Sequence, residues 1–211
     1  MSGVRAVFFD LDHCLASPDE SGRAFYQPAL DAIRAANCGT LGETALESAL
    51  EDCWTHSLEQ VAEIHGFSPR MYQAGWQASL NLRVAGPFKG FPDLPELLQM
   101  KVDRFLVTSG FRTLQQSKIE ALGIKDWFAE IWIDAIDELP RTGKKAIFED
   151  LLRRHQLEPE AVLVVGDSER SEIAAGNALK IPTVQILRPG VVRSDAALHH
   201  ISDLRELKAL L

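Results

Sequence analysis

Residues 4–12 read Val-Arg-Ala-Val-Phe-Phe-Asp-Leu-Asp, and the change of character inside this stretch decides how the chain is folded. An apolar run ends abruptly in two carboxylates one residue apart. A strand with one wet face alternates apolar and polar residues. A continuous run bounded by acids therefore reads as a strand covered on both faces, as in a parallel sheet. Arg104–Val107, Ile131–Ile133 and Val162–Val165 have the same form, and a fifth strand is expected over Thr183–Leu187. Between these runs the apolar spacing is helical. Thr113–Leu122 carries Leu114, Ile119 and Leu122 and stops at Gly123, while Lys144–His155 carries Ile147, Phe148, Leu151 and Leu152. Ile173–Leu179 and Leu204–Leu210 are read as the last two helices. Strand and helix alternating over residues 101–190 predict an α/β fold with a Rossmann-like parallel sheet.

The first two strands lie roughly a hundred residues apart, far more than a simple crossover requires. Most of that interval is patterned as helix, over Ala24–Ala36, Thr44–His65 and Pro69–Leu82. Gly86, Pro87, Gly90, Pro92 and Pro95 then break the pattern. This predicts a core of residues 1–15 and 91–211 with a helical insertion at 16–90. Phe25, Tyr26, Trp54, Trp76 and Phe88 are expected to pack the insertion, one or two of them facing a ligand.

The whole chain of 211 residues has a net charge of −8, with 46% hydrophobic and 25% charged residues. These are globular values, and the acidity disfavours a broad nucleic-acid-binding surface. Residues 16–100 hold eleven acids and five bases. Those bases (Arg23, Arg34, Arg70, Arg83 and Lys89) read either as solvated helix faces or as contacts for the polar end of a substrate. Cys14, Cys38 and Cys53 are odd in number and lack metal-binding spacing, which fits a reducing compartment. No signal peptide or membrane span is visible, so a cytoplasmic protein without membrane or nucleic-acid partners is expected.

Open parallel sheets bind ligands beyond the carboxyl ends of their strands. Asp10 and Asp12 follow the first run, and Thr108, Ser109 and Gly110 the second. Gly166, Asp167 and Ser168 follow the fourth, with Glu169 and Glu172 close behind. An acidic loop after the third leads to Arg141, Lys144 and Lys145 at a helix start. Carboxylates gathered in one crevice repel one another unless a cation sits among them, and oxygen-only ligands suit magnesium. A hydroxyl, loop amides and a lysine at the same edge suit phosphoryl oxygens. The combination points to magnesium-assisted phosphoryl transfer.

Phe8-Phe9-Asp10-Leu11-Asp12 with Leu15, Leu106-Val107-Thr108-Ser109-Gly110, Lys144, and Val164-Val165-Gly166-Asp167-Ser168 with Glu172 together resemble the four ordered motifs of the haloacid dehalogenase superfamily. The resemblance implies that residues 16–90 are the family's helical cap. It implies a phosphatase-type enzyme in which Asp10 is the nucleophile and Asp12 the general acid and base. Thr108, the Ser109 amide and Lys144 would hold the phosphate. Mg2+ would be held by Asp10, the Asp12 carbonyl and Asp167, with Glu172 reaching it through water. The implied partner is a small phosphorylated metabolite, a nucleotide or a sugar or organic-acid phosphate. The run Thr108-Ser109-Gly110 with Gln115 and Lys118-Ile119 is similar to the branch holding nucleotide and sugar-phosphate phosphatases. Three positions depart from the pattern. His13 and Cys14 replace the common Gly-Thr, Glu172 replaces a more usual aspartate, and Lys145 and Arg141 compete with Lys144 for the lysine role. The rival readings are a phosphomutase and a non-enzymatic phospho-receiver or binding module. Receivers carry their phospho-acceptor on a later strand, which fits this order poorly.

Overall fold

The computed structural model describes residues 3–21, 23–54, 56–84 and 86–211. Its centre is β1 (Ala6–Phe9), buried at every position because both faces are covered. Val7 and Phe9 join one apolar cluster with Leu106, Leu163, Val165 and Ile186, while Ala6 and Phe8 join another with Phe105, Val107, Val162 and Val164. That two-sided cover is why the run in the sequence is continuous rather than alternating.

β2 (Asp103–Gly110) pairs with one side of β1 and β4 (Val162–Gly166) with the other. β3 (Glu130–Ala135) lies outside β2, and β5 (Thr183–Ile186) and β6 (His199–Ile201) lie outside β4. The order β3-β2-β1-β4-β5-β6 is parallel throughout. Sheet building runs outward from β1 to β3 and resumes across β1 at β4. The crevice at this change of direction lies between the carboxyl ends of β1 and β4. On the core, α5 (Arg112–Leu122) follows β2, α6 (Lys144–His155) follows β3, and a π-helical turn (Glu169–Ile173) opens into α7 (Ala174–Ala178) after β4.

Between β1 and β2 run α1 (Arg23–Ala36), α2 (Glu43–Asp52), α3 (Leu58–His65) and α4 (Pro69–Ser79). They have a small core of their own, with Leu30, Ile33, Leu46, Leu50 and Met71 buried together. α1 and α4 pack closely at Gly75, where a Cβ would lie 2.7 Å from Ile33 Cγ1.

Three expectations are corrected. The single helix read over Thr44–His65 is two, because the Ser57 hydroxyl accepts from Gln60 N while the Gln60 side chain accepts from Ser57 N. That capping box starts a new helix where the apolar spacing runs on. His199 and His200, read as plain surface, are half-buried in the edge strand β6. The closing segment is a 3₁₀ helix (Leu204–Ala209) rather than an α-helix. Among the described residues no helix is long and apolar enough to cross a membrane.

Candidate active site

Directly after β1 the chain makes a tight turn. The Leu11 carbonyl accepts from Leu15 N at 2.9 Å and Ala16 N at 3.1 Å. His13 stands where the resembling family has glycine, at φ +54°, in the left-handed region that favours glycine. Its amide donates to the Ala16 carbonyl at 2.8 Å, which helps hold the residue there. Cys14 is fully buried and its thiol donates to the Val165 carbonyl at 3.7 Å, a weak bond that still links the turn to β4. From the far side Arg188 donates to the Cys14 carbonyl through Nε at 3.1 Å and Nη2 at 2.9 Å. Nη2 of Arg188 also pairs with Asp93 at 2.9 Å, with both side chains buried. The turn is thus fixed by β4 and by a buried ion pair.

Asp10, at the start of this turn, meets Lys144 Nζ at 2.6 Å, and the same amine reaches Glu172 Oε2 at 2.8 Å. One carboxylate oxygen each from Asp10, Asp167 and Glu172 lies within 4.8 Å of the other two. Three acids therefore face one lysine. Burial first, and then the neighbouring Glu172, push the Asp10 carboxyl up to about 7 against the pull of Lys144. Burial, Glu172 and Asp10 push Asp167 up to about 8. For Glu172 burial is outweighed by Lys144 and by the Ser168 amide, which donates to Oε1 at 2.5 Å, and its carboxyl is lowered. Lys144 is raised, since Asp10 and Glu172 outweigh its desolvation. A divalent cation bound by oxygen donors relieves this excess of negative charge, so the donor set fits magnesium.

Glu172 sits on the wide π-turn and passes over Gly166. A Cβ at position 166 would lie 2.5 Å from both Cδ and Oε1 of Glu172. The missing side chain gives the longer acid its room.

Asp12 points elsewhere. Both its oxygens accept from Lys118 Nζ, at 2.7 and 2.8 Å, and Oδ2 also accepts from Gln115 Nε2 at 3.0 Å. Burial raises the Asp12 carboxyl, but the Lys118 charge and these bonds outweigh it and hold the group below the usual range. Thr108 is buried and donates to Gln115 Oε1 at 3.4 Å. The Ser109 hydroxyl is turned away and donates to Asp134 Oδ2 at 2.9 Å.

Of the three competing cations after β3, Lys144 is buried against Asp10, Lys145 is exposed, and Arg141 pairs with Asp134 at 2.8 Å. Asp134 also accepts from Gly143 N at 2.8 Å. It thereby fixes the loop that delivers Lys144. Asp134 and the Asp93–Arg188 pair are positioning groups that the sequence reading passed over. Lys118 and Gln115 appeared there only inside a family-like run.

Next to Asp12 and His13 opens a cavity of about 310 Å³ between the insertion and α5. Tyr26, Trp54 and Trp76 line it, three of the aromatics assigned to the packing of the insertion, and Phe111 joins them from the core. Neither Asp10 nor Lys144 borders it. Arg34, Arg70, Arg83 and Lys89 do not line it, and the side chain of Arg23 lies outside the described residues.

The sequence pattern of haloacid dehalogenase-like hydrolases matches residues 4–180. A curated relative, the glyceraldehyde 3-phosphate phosphatase of Methanopyrus kandleri, is 28% identical over 207 residues, spanning 88% of this chain and 84% of the relative. The candidate HAD-hydrolase YfnB of Bacillus subtilis, solved bound to magnesium, superposes with a TM-score of 0.67 at 18% identity, over 99% of each chain. A candidate beta-phosphoglucomutase of Thermotoga maritima gives a TM-score of 0.58 at 18% identity, over 99% of this chain and 100% of the other. At such identities the two structural likenesses speak for the fold.

Proposed function

The chain belongs to the haloacid dehalogenase-like hydrolases, and on that premise we propose that it is a magnesium-dependent phosphohydrolase cleaving a small phosphomonoester through a phospho-Asp10 intermediate. The observation that carries this reading is the division of carboxylates at one crevice. Asp10, Asp167 and Glu172 cluster around Lys144, while Asp12 is held apart by Lys118 at the mouth of a cavity.

Mg2+ would be held by Asp10, Asp167 and the Asp12 carbonyl, with Glu172 in the outer sphere. When bound it neutralises the charge of the carboxylates and of the phosphoryl group. The Asp10 oxygen attacks phosphorus, and the phosphorus–oxygen bond to the alcohol breaks as the new bond forms. Thr108, the Ser109 amide and Lys144 bind the phosphoryl oxygens and keep the group in line. Asp12 gives its proton to the leaving alcohol oxygen and then takes one from the water that releases phosphate from Asp10. Lys118 and Gln115 keep Asp12 ionised at rest, the state that can accept a proton in the second half. An arriving anionic phosphoryl group beside it raises its affinity for a proton, which suits the first. The helical insertion serves as a cap that encloses the leaving group and excludes bulk water.

The test is a panel of phosphomonoesters with magnesium, repeated with EDTA and with Asp10→Asn. Turnover that needs magnesium and vanishes in Asp10→Asn is expected, with one solvent oxygen in each phosphate released into labelled water. Turnover by Asp10→Asn near the wild-type rate would sink the covalent mechanism. Phosphate returned to an organic product would replace hydrolase with mutase.

A further inference from the structure

From the cavity beside Asp12, we infer that the alcohol released is an uncharged, ring-bearing, largely apolar one, not a sugar, a triose or a phosphorylated acid. The inference rests on the hydrolase reading and names the substrate class for that site.

Position comes first. The cavity touches Asp12 and His13 but not Asp10 or Lys144, so it lies on the leaving-group side of the scissile bond. Two aromatic pairs contribute to its walls. Trp76 meets Phe111 with centroids 4.9 Å apart at 64°, and Tyr26 meets Trp54 at 5.3 Å and 88°. A substrate ring entering the cavity can pack against such an aromatic wall in the same edge-to-face or offset manner. Leu30, Ile33, Leu58, Leu82, Leu114 and Ile136 fill in around them. A dry apolar cavity of about 150 Å³ holds one benzene. The present volume of about 310 Å³ therefore has room for one or two rings plus a short linker.

Charge gives the second argument. Among the described residues, Lys118 is the one Lys or Arg side chain that lines the cavity, and both its close contacts go to Asp12. Glu59 adds negative charge to the wall. A carboxylate or second phosphate on the leaving group would lose its water and, among the described residues, meet no lysine or arginine beyond the one held by Asp12, a cost that disfavours phosphorylated acids and polyphosphates. His13, His56, Ser57, Ser79 and Gln115 also line the cavity but are outnumbered by its aromatic and aliphatic side chains, so most hydroxyls of a hexose would lie against hydrocarbon.

The experiment compares primary alkyl phosphates of similar intrinsic reactivity: 2-phenylethyl phosphate, glucose 6-phosphate, glyceraldehyde 3-phosphate and 2-phosphoglycolate, each with magnesium. kcat/KM for 2-phenylethyl phosphate is expected to exceed the others by about 100-fold, as burial of one aromatic side chain's area provides. Trp76→Ala and Phe111→Ala should each lower the ratio of phenylethyl to glyceraldehyde 3-phosphate turnover about tenfold. A preference for glyceraldehyde 3-phosphate, glucose 6-phosphate or phosphoglycolate overturns the inference and leaves the hydrolase reading standing. Turnover of no ester, by folded and magnesium-loaded protein, overturns both.

Discussion

Replacing Lys118 by methionine tests whether Asp12 is held by a buried charge. The lysine side chain is 2% exposed and its partner 22% exposed, with Nζ 2.7 Å from Oδ1 of Asp12. Breaking a buried pair by removing one member costs about 3–5 kcal/mol, because the other charge stays without compensation. Two features place this site at the lower end. Asp12 retains some contact with water, and Gln115 still donates to Oδ2 at 3.0 Å. Methionine fills the volume of the lysine stem, so the cavity penalty is small. The expected loss is about 3 kcal/mol at pH 8. With a urea slope of about 2 kcal/mol/M, that is a midpoint lower by about 1.5 M. The loss must also depend on pH. In the native protein the Asp12 carboxyl is lowered, so its contribution is present above the ordinary value of about 3.9 and lost as pH falls through the native value. Without Lys118 burial raises the same group above about 3.9, and protonation on acidification relieves the stranded charge. The gap between the two proteins should therefore be smaller near pH 4.5 than at pH 8. Urea titrations in EDTA at both pH values read this directly. A midpoint shift under about 0.3 M at pH 8, or the same shift at both pH values, refutes the reasoning.

The metal-free protein should lose stability as pH rises from about 5 to 8.5. Asp10 near 7 and Asp167 near 8 keep protons that the unfolded chain has already released. Added Mg2+ should raise the melting temperature more at pH 8.5 than at pH 5, where protons compete with it; a metal-free melting temperature that is flat across this range contradicts the crowding of carboxylates. Gly166→Ala should cost about 1–3 kcal/mol and weaken magnesium binding, because its Cβ would lie 2.5 Å from Glu172 Cδ. Calorimetric titration with Mg2+ and a thermal melt check both, and an unchanged affinity would show that Glu172 does not need that path. In native thiol titration at pH 8, exposed Cys38 should react first. Cys14, fully buried and raised mainly by desolvation, should react only on unfolding, and its early modification would mean the turn after β1 opens.

The central strands were legible because two-sided burial writes itself as continuous apolar runs, which is how β1 and β4 announce themselves. β6 was not, since His199, His200 and Ile201 form a short edge strand with a single apolar side chain. Lys144 was readable from helix phase, lying on the same face as Ile147, Phe148 and Leu151, whereas Lys145 is turned outward. Lys118 shows the opposite case. A lysine within a helix ordinarily reads as solvated, and only the packing of α5 against the turn after β1 puts its amine on Asp12. The cavity is less legible still. Tyr26, Trp54, Trp76 and Phe111 come from four separate stretches of chain and converge only once α1 and α4 have packed.

Phospho-Asp10 is the point on which the proposed function turns. In Asp12→Asn the second half-reaction loses its base, while p-nitrophenyl phosphate carries a leaving group good enough to depart without an acid. Stopped-flow mixing with magnesium should then release about one nitrophenolate per chain in a burst, followed by slow turnover. Borohydride reduction of the quenched protein should convert residue 10 to homoserine, which peptide mass spectrometry detects. Burst-free release, with Asp10 recovered intact while product accumulates, would contradict the covalent route.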